Sequence, residues 1–262
     1  MNGTLGDATS TLTIPTHCNG PDGSGNGGYS SGLLAARLTA EGGPAVTVTL
    51  RTPPPLGRPL TVAGDPATGL LLTDPETDGK GHLVAEAVRA ELPDRPAVPG
   101  TPATPGEAAE AEKRYPGLEG HPFPRCYSCG PDRPEGDGLH LCPGRVRPGT
   151  GPDGAGTVVA CTWTPHPGLD GGSGTVALPD TWTALDCPGG WSHDVKGRPI
   201  VLGRFTARVQ EAPRIGRTYV AMGHLEAVEG RKVHTGSALY DASGRLVAQA
   251  HATWIMVAPP TS

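Results

Sequence analysis

Asn26-Gly27-Gly28 places two glycines directly behind a residue whose short amide side chain suits a helix N-cap. The first N–H groups of a helix have no partner inside it and carry the positive end of its dipole, so a carbonyl seated there is stabilised. Glycines let a bulky group approach those donors. A second group that can do chemistry, Asp186, follows Trp182 and Leu185 in another segment with a helical apolar stripe. A carboxylate that is partly desolvated rises in pKa and can act as a general base. Asp180, beside Pro179, reads instead as a first-turn acid that satisfies backbone donors.

The cysteines offer a different chemistry. Cys126 and Cys129 form one Cys-x-x-Cys pair, with His121, His140 and Cys142 nearby at His-x4-Cys-x2-Cys-x10-His-x-Cys spacing. A structural zinc needs four ligands, and a single Cys-x-x-Cys without a second matching pair is a weak sign of one. The expectation is therefore no metal and no cofactor. Cys187, next to Asp186, would be a nucleophile only with a histidine such as His193 beside it; a buried small cysteine is the plainer reading.

Two helices must position these groups. The first is expected over Asn26 to Thr39, with Tyr29, Leu33, Leu34 and Leu38 apolar and Gly42-Gly43 as the stop. The second is expected over Pro179 to Trp191, with proline suited to its first position and Pro188-Gly189-Gly190 breaking or kinking it. Alternating runs such as Ala45 to Leu50 and Arg245 to Ala250 read as strands. Forty glycines and thirty prolines in 262 residues would suit a disordered chain, but these ordered runs make them turns between strands.

The halves repeat. Leu56 to Val62 matches Ile215 to Val220, and Leu83 to Ala87 matches Leu246 to Ala250. In each copy the second segment follows an Asp/Gly turn, Thr77 to Gly81 and Asp241 to Gly244, so each half is expected to end in a hairpin. Between them Pro93 to Gly106 is too rich in proline for a ladder or a helix and is expected to be irregular and mobile. The acidic tract Glu107 to Arg114 has no apolar face and predicts at most a short solvated helix. The division is an N-terminal domain at 1–92, a Pro/Gly-rich linker at 93–120 and a C-terminal domain at 121–262.

A net charge of -5 without any dense Lys/Arg block argues against nucleic acid. No apolar stretch reaches a membrane span, and Met1 to Ser10 lacks the regions of a secretion signal, so a cytoplasmic chain with reduced thiols is expected. Arg51, Arg58, Arg204, Arg208 and Arg217 lie on or beside expected strands, where phosphates of a carrier would meet them, although isolated strand arginines are usually solvated.

The segment Cys126-Tyr127-Ser128-Cys129-Gly130, followed by Gly138-Leu139, resembles the N-terminal signature of hotdog-fold thioesterases of the phenylacetate-pathway type, in the acyl-CoA thioesterase superfamily. The resemblance covers residues 121–258 clearly and 12–92 more weakly. It implies an α+β fold in which an antiparallel sheet wraps one central helix. Two such units pair, and a tandem repeat supplies the pair as an intramolecular pseudo-dimer: two sheets, each around one helix. Whether that unit pairs again as a homodimer is left open. The implied activity is hydrolysis of an acyl-CoA or acyl-carrier thioester. In this family a His-Gly-Gly-like helix opening polarises the thioester carbonyl, and a carboxylate one to two turns later activates water or attacks. Here the apparatus is divided. Asn26-Gly27-Gly28 matches the opening in the first half, where Ala35 stands in place of the acid. Asp186 supplies the acid in the second half, whose opening reads Ala177-Leu178-Pro179. A composite site would join Asn26, Gly27 and Gly28 to Asp186. The divided motif equally suits an acyl- or small-molecule-binding pair without catalysis. A lyase or dehydratase on the same fold would carry an Asp and His pairing with an Asn-Pro turn, which this sequence lacks. Fold alone does not choose among them.

Overall fold

A computed structural model describes residues 9–75 and 81–258. The turn expected at Thr77 to Gly81 falls outside them, except for Gly81. Eleven strands form one antiparallel sheet in the order β1-β3-β4-β5-β2-β8-β11-β10-β9-β7-β6. In the first half these are β1 (Ser10–Thr13), β2 (Ala45–Leu50), β3 (Pro59–Asp65), β4 (Gly69–Asp74) and β5 (His82–Ala90). The second half supplies β6 (Gly144–Arg147), β7 (Val158–Trp163), β8 (Ile200–Val209), β9 (Tyr219–Glu229), β10 (Lys232–Asp241) and β11 (Leu246–Met256).

The expectation of two sheets is corrected here: the sheet is continuous. β2 and β8 hydrogen-bond along Val46↔Ala207 to Thr49↔Arg204, and the Thr47 and Thr206 hydroxyls meet across this seam at 2.7 Å. An unpaired strand edge is a row of unsatisfied donors and acceptors, and pairing β2 with β8 removes one such edge from each half. Outward from the seam the order is β2-β5-β4-β3-β1 on one side and β8-β11-β10-β9-β7 on the other. The two matched sequence segments accordingly fall on equivalent strands, β3 with β9 and β5 with β11.

Two of the three α-helices, α1 (Gly27–Ala35) and α3 (Leu178–Trp191), lie between equivalent strands in the chain and pack on each other. Gly28 and Gly32, one turn apart on α1, allow that approach. A Cβ at Gly28 would lie 2.6 Å from the Asp186 Cβ, and one at Gly32 would lie 2.6 Å from the Pro179 Cα. α1 stops at Ala35, one turn short of the expected Thr39, although Leu38 is still buried beyond its end.

α3 runs to Trp191, its expected end, and is not broken at Pro188. Pro188 has no N–H for the Ala184 carbonyl. On either side of that carbonyl the buried hydroxyls of Ser128 and Ser237 donate to the carbonyls of Thr183 (3.1 Å) and Leu185 (2.6 Å). Ser237→Ala is expected to leave the Leu185 carbonyl short of a donor and to lower stability by about 1–3 kcal/mol. Urea unfolding would measure this as a lower midpoint at unchanged slope.

The linker is irregular, as expected, and it is packed. Residues 93–104 contain no strand or α-helix, yet Val98 and Ala103 join Ala108 of α2 (Pro105–Glu112) in a small core. Its floor is the outward face of β7, β9 and β10, through Ala160, Met222 and Tyr240. Successive strand residues point to opposite faces, so Leu239 enters the main core around α1 and α3 while Ala238 and Tyr240 enter this one. α2 is therefore half-buried, not solvated: Ala108 and Ala111 are fully covered.

Candidate active site

The start of α1 meets the middle of α3. Asn26 caps α1, its Oδ1 accepting the Tyr29 N–H at 2.8 Å. Its Nδ2 donates across the interface to Asp186 Oδ2 at 2.9 Å, and the Gly28 N–H donates to the same oxygen at 3.0 Å. Asp186 is 2% exposed, and its Oδ1 is buried without a hydrogen-bond partner among the described residues. Burial, then the adjacent Cys126, push its pKa up to about 7 against the pull of the Gly28 and Asn26 hydrogen bonds. The Gly27 N–H makes no hydrogen bond among the described residues.

Asn26, Gly27 and Asp186 line one cavity of about 380 Å³ with a mainly apolar wall, including Phe123, Ile200, Leu202 and Trp254. Arg51 stands on the same wall, exposed and paired with Glu86 at 3.1 Å. The other arginines named from sequence lie elsewhere: Arg58 pairs with Asp74, Arg204 donates to the Thr49 hydroxyl, and neither they nor Arg208 and Arg217 line the cavity.

The cysteines gather beside Asp186. The Sγ atoms of Cys126, Cys129 and Cys187 all lie within 4.8 Å of one another. The Cys126 thiol is held well below its ordinary pKa by hydrogen bonds from Cys129 and then Cys187, which outweigh burial. Sequence spacing pointed to His140 and Cys142 as companions of Cys126; neither joins the cluster. His140 turns to the Pro134 carbonyl at 3.0 Å. Nor does His193 reach Cys187: among the described residues neither of its ring nitrogens has a hydrogen-bond partner, and it lines a separate cavity of about 150 Å³.

No protein-family profile and no curated protein matches the sequence. Solved structures do match it, at low identity. A tesB protein of Mycobacterium avium subs paratuberculosis is 12% identical with a TM-score of 0.58, the match covering 95% of this chain and 93% of that one. A conserved protein of Alicyclobacillus acidocaldarius, described as having a hot dog fold, is 14% identical with a TM-score of 0.60, over 98% of this chain and 95% of that one. The chain has the hotdog fold.

The hotdog helices can be compared turn by turn, because their caps, Asn26 and Ala177, stand 151 positions apart. On that offset Asp186 corresponds to Ala35 and Gly28 to Pro179. The counterpart of the Asn26/Gly28/Asp186 cluster thus has neither a carboxylate nor, at proline, an N–H. Asp180 lies on that side, buried, and accepts the Tyr127 hydroxyl at 2.8 Å rather than the backbone donors expected for it. Burial raises its pKa to about 6 despite that hydrogen bond. Among the described residues, no helix of this hotdog is long and apolar enough to cross a membrane.

Proposed function

We propose that the chain is a tandem double hotdog, 1–92 and 121–262 joined by 93–120, that hydrolyses an acyl-CoA or acyl-carrier thioester at one composite site. The observation that carries this reading is the meeting of Asp186 with the α1 N-terminus across the two halves. The thioester carbonyl sits against the Gly27 N–H, which has no partner among the described residues, while Gly28 N–H and Asn26 hold Asp186 in place. Asp186 Oδ1 takes a proton from water as the water oxygen bonds to the carbonyl carbon. Collapse of the adduct breaks the C–S bond, and the sulfur leaves as a thiol with the proton that Asp186 had taken, which restores the carboxylate. The apolar cavity takes the acyl group, and Arg51 is at hand for a charged carrier. Loss of one such oxyanion donor costs about 3–4 kcal/mol of transition-state stabilisation in other enzymes.

A binding module without catalysis is the second reading, favoured by the bareness of the counterpart site. Incubation of the protein with acyl-CoAs of graded chain length, followed by assay of free thiol, separates the two. Thiol release from at least one member is expected. Saturable binding of a member with no release from any would establish the binding module.

A further inference from the structure

We infer that Cys126, Cys129 and Cys187 form a three-thiolate site for zinc in the wall of the cavity. Zinc–sulfur bonds of about 2.3 Å at tetrahedral angles put ligand sulfurs about 3.8 Å apart. Cys126 Sγ and Cys187 Sγ lie 3.8 Å apart, and the third sulfur needs to move only within the 4.8 Å that already encloses all three.

What surrounds the sulfurs is a shell of donors. Asn26 Nδ2 lies 3.7 Å from Cys126 Sγ. Trp191 Nε1 donates to Cys129 Sγ at 3.3 Å. His121 Nε2 lies 3.3 Å from the same atom while its Nδ1 accepts the Phe123 N–H at 2.9 Å. That second bond assigns the imidazole proton to Nε2, so His121 donates to the sulfur and does not ligate. N–H groups converging on buried sulfurs are what a thiolate cluster needs, because three negative charges exceed the two positive charges of the ion. Such outer donors orient metal ligands and tune the metal. Buried neutral thiols, as weak acceptors, have no such need.

The ligand set ties two distant pieces of chain together. Cys126 and Cys129 sit on one turn and Cys187 on α3, so the ion fastens the loop to the helix that carries Asp186. With three protein ligands, the fourth corner of the tetrahedron belongs to water or a substrate atom from the cavity, as in zinc sites that do chemistry. Asn26 reaches both Asp186 and Cys126 and so joins the two clusters. The inference stands without the thioesterase reading, because it concerns only these residues and the ion.

The test is elemental analysis of the full chain, expressed with added zinc and purified without chelator under reducing conditions. About one zinc per chain is expected. Removing it with a chelator should lower the melting temperature, and adding cobalt(II) to the stripped protein should give intense thiolate-to-cobalt absorption in the near ultraviolet. Cys187→Ser should lose both the zinc and the cobalt band, whereas Cys142→Ser should keep them. Since the cysteine variants can misfold, the parent protein decides. Fully reduced, folded parent that contains no zinc and gives no thiolate–cobalt band would overturn the site. So would a cobalt band that survives in folded Cys187→Ser.

Discussion

Asp186→Asn is expected to lower thioester hydrolysis by roughly 10²-fold or more, the usual range for removal of a general base. The substitution isolates chemistry from architecture. The new amide oxygen can accept the Gly28 N–H and the Asn26 amide exactly where Oδ2 does, and the amide nitrogen takes the place of Oδ1, which has no partner to lose. The melting temperature should therefore stay close to that of the parent while the rate falls. Asp180→Asn supplies the comparison, since Asp180 is also buried on α3 but faces Tyr127. Its hydrolysis should remain within a few-fold of the parent. Parent-level hydrolysis by Asp186→Asn on every acyl-CoA that responds would remove Asp186 from the mechanism.

Gly223→Ala should be the more damaging change to the fold. A Cβ at Gly223 would fall 1.7 Å from the Pro188 carbonyl oxygen and 2.9 Å from the Gly189 nitrogen. These are backbone atoms, so no rotamer change relieves the clash; α3 must lift from β9. Overpacking of this kind costs about 1–3 kcal/mol, or roughly 2–12 °C in melting temperature for a chain this size. The same displacement moves Asp186, half a turn before Pro188, so hydrolysis should fall with stability. Thermal unfolding and the thiol assay on one preparation would check both. A variant that melts with the parent would mean that α3 does not rest on β9 at this point.

The strands and both helix positions were legible because each rests on local pattern. Ala45 to Leu50 alternates, and Asn26 is followed by residues that tolerate a first helical turn. The continuous sheet was not legible, since alternation in β2 and β8 marks them as strands without saying that their free edges would meet. The packed linker escaped notice for a related reason: alanines such as Ala103, Ala108 and Ala111 give little hydrophobic signal, yet their small size lets α2 lie close on the sheet. Gly32 adds nothing to the apolar stripe of its helix, yet its four-residue spacing from Gly28 is a usable sign of close helix contact. The thiol cluster was hidden by distance along the chain. Spacing rules favour ligands near Cys126, and Cys187 arrives from α3, 61 residues later.

The central claim is that a thioester carbonyl lies against the start of α1, beside Asp186. Infrared difference spectra of a responsive acyl-CoA, carbon-13 labelled at its carbonyl and bound to Asp186→Asn, would test it most directly. Slow turnover in that variant holds the ester intact, and hydrogen bonding to Gly27 N–H with the helix dipole behind it should shift the carbonyl stretch to lower frequency than in water. A bound ester whose stretch stays at or above its solution frequency would contradict the account.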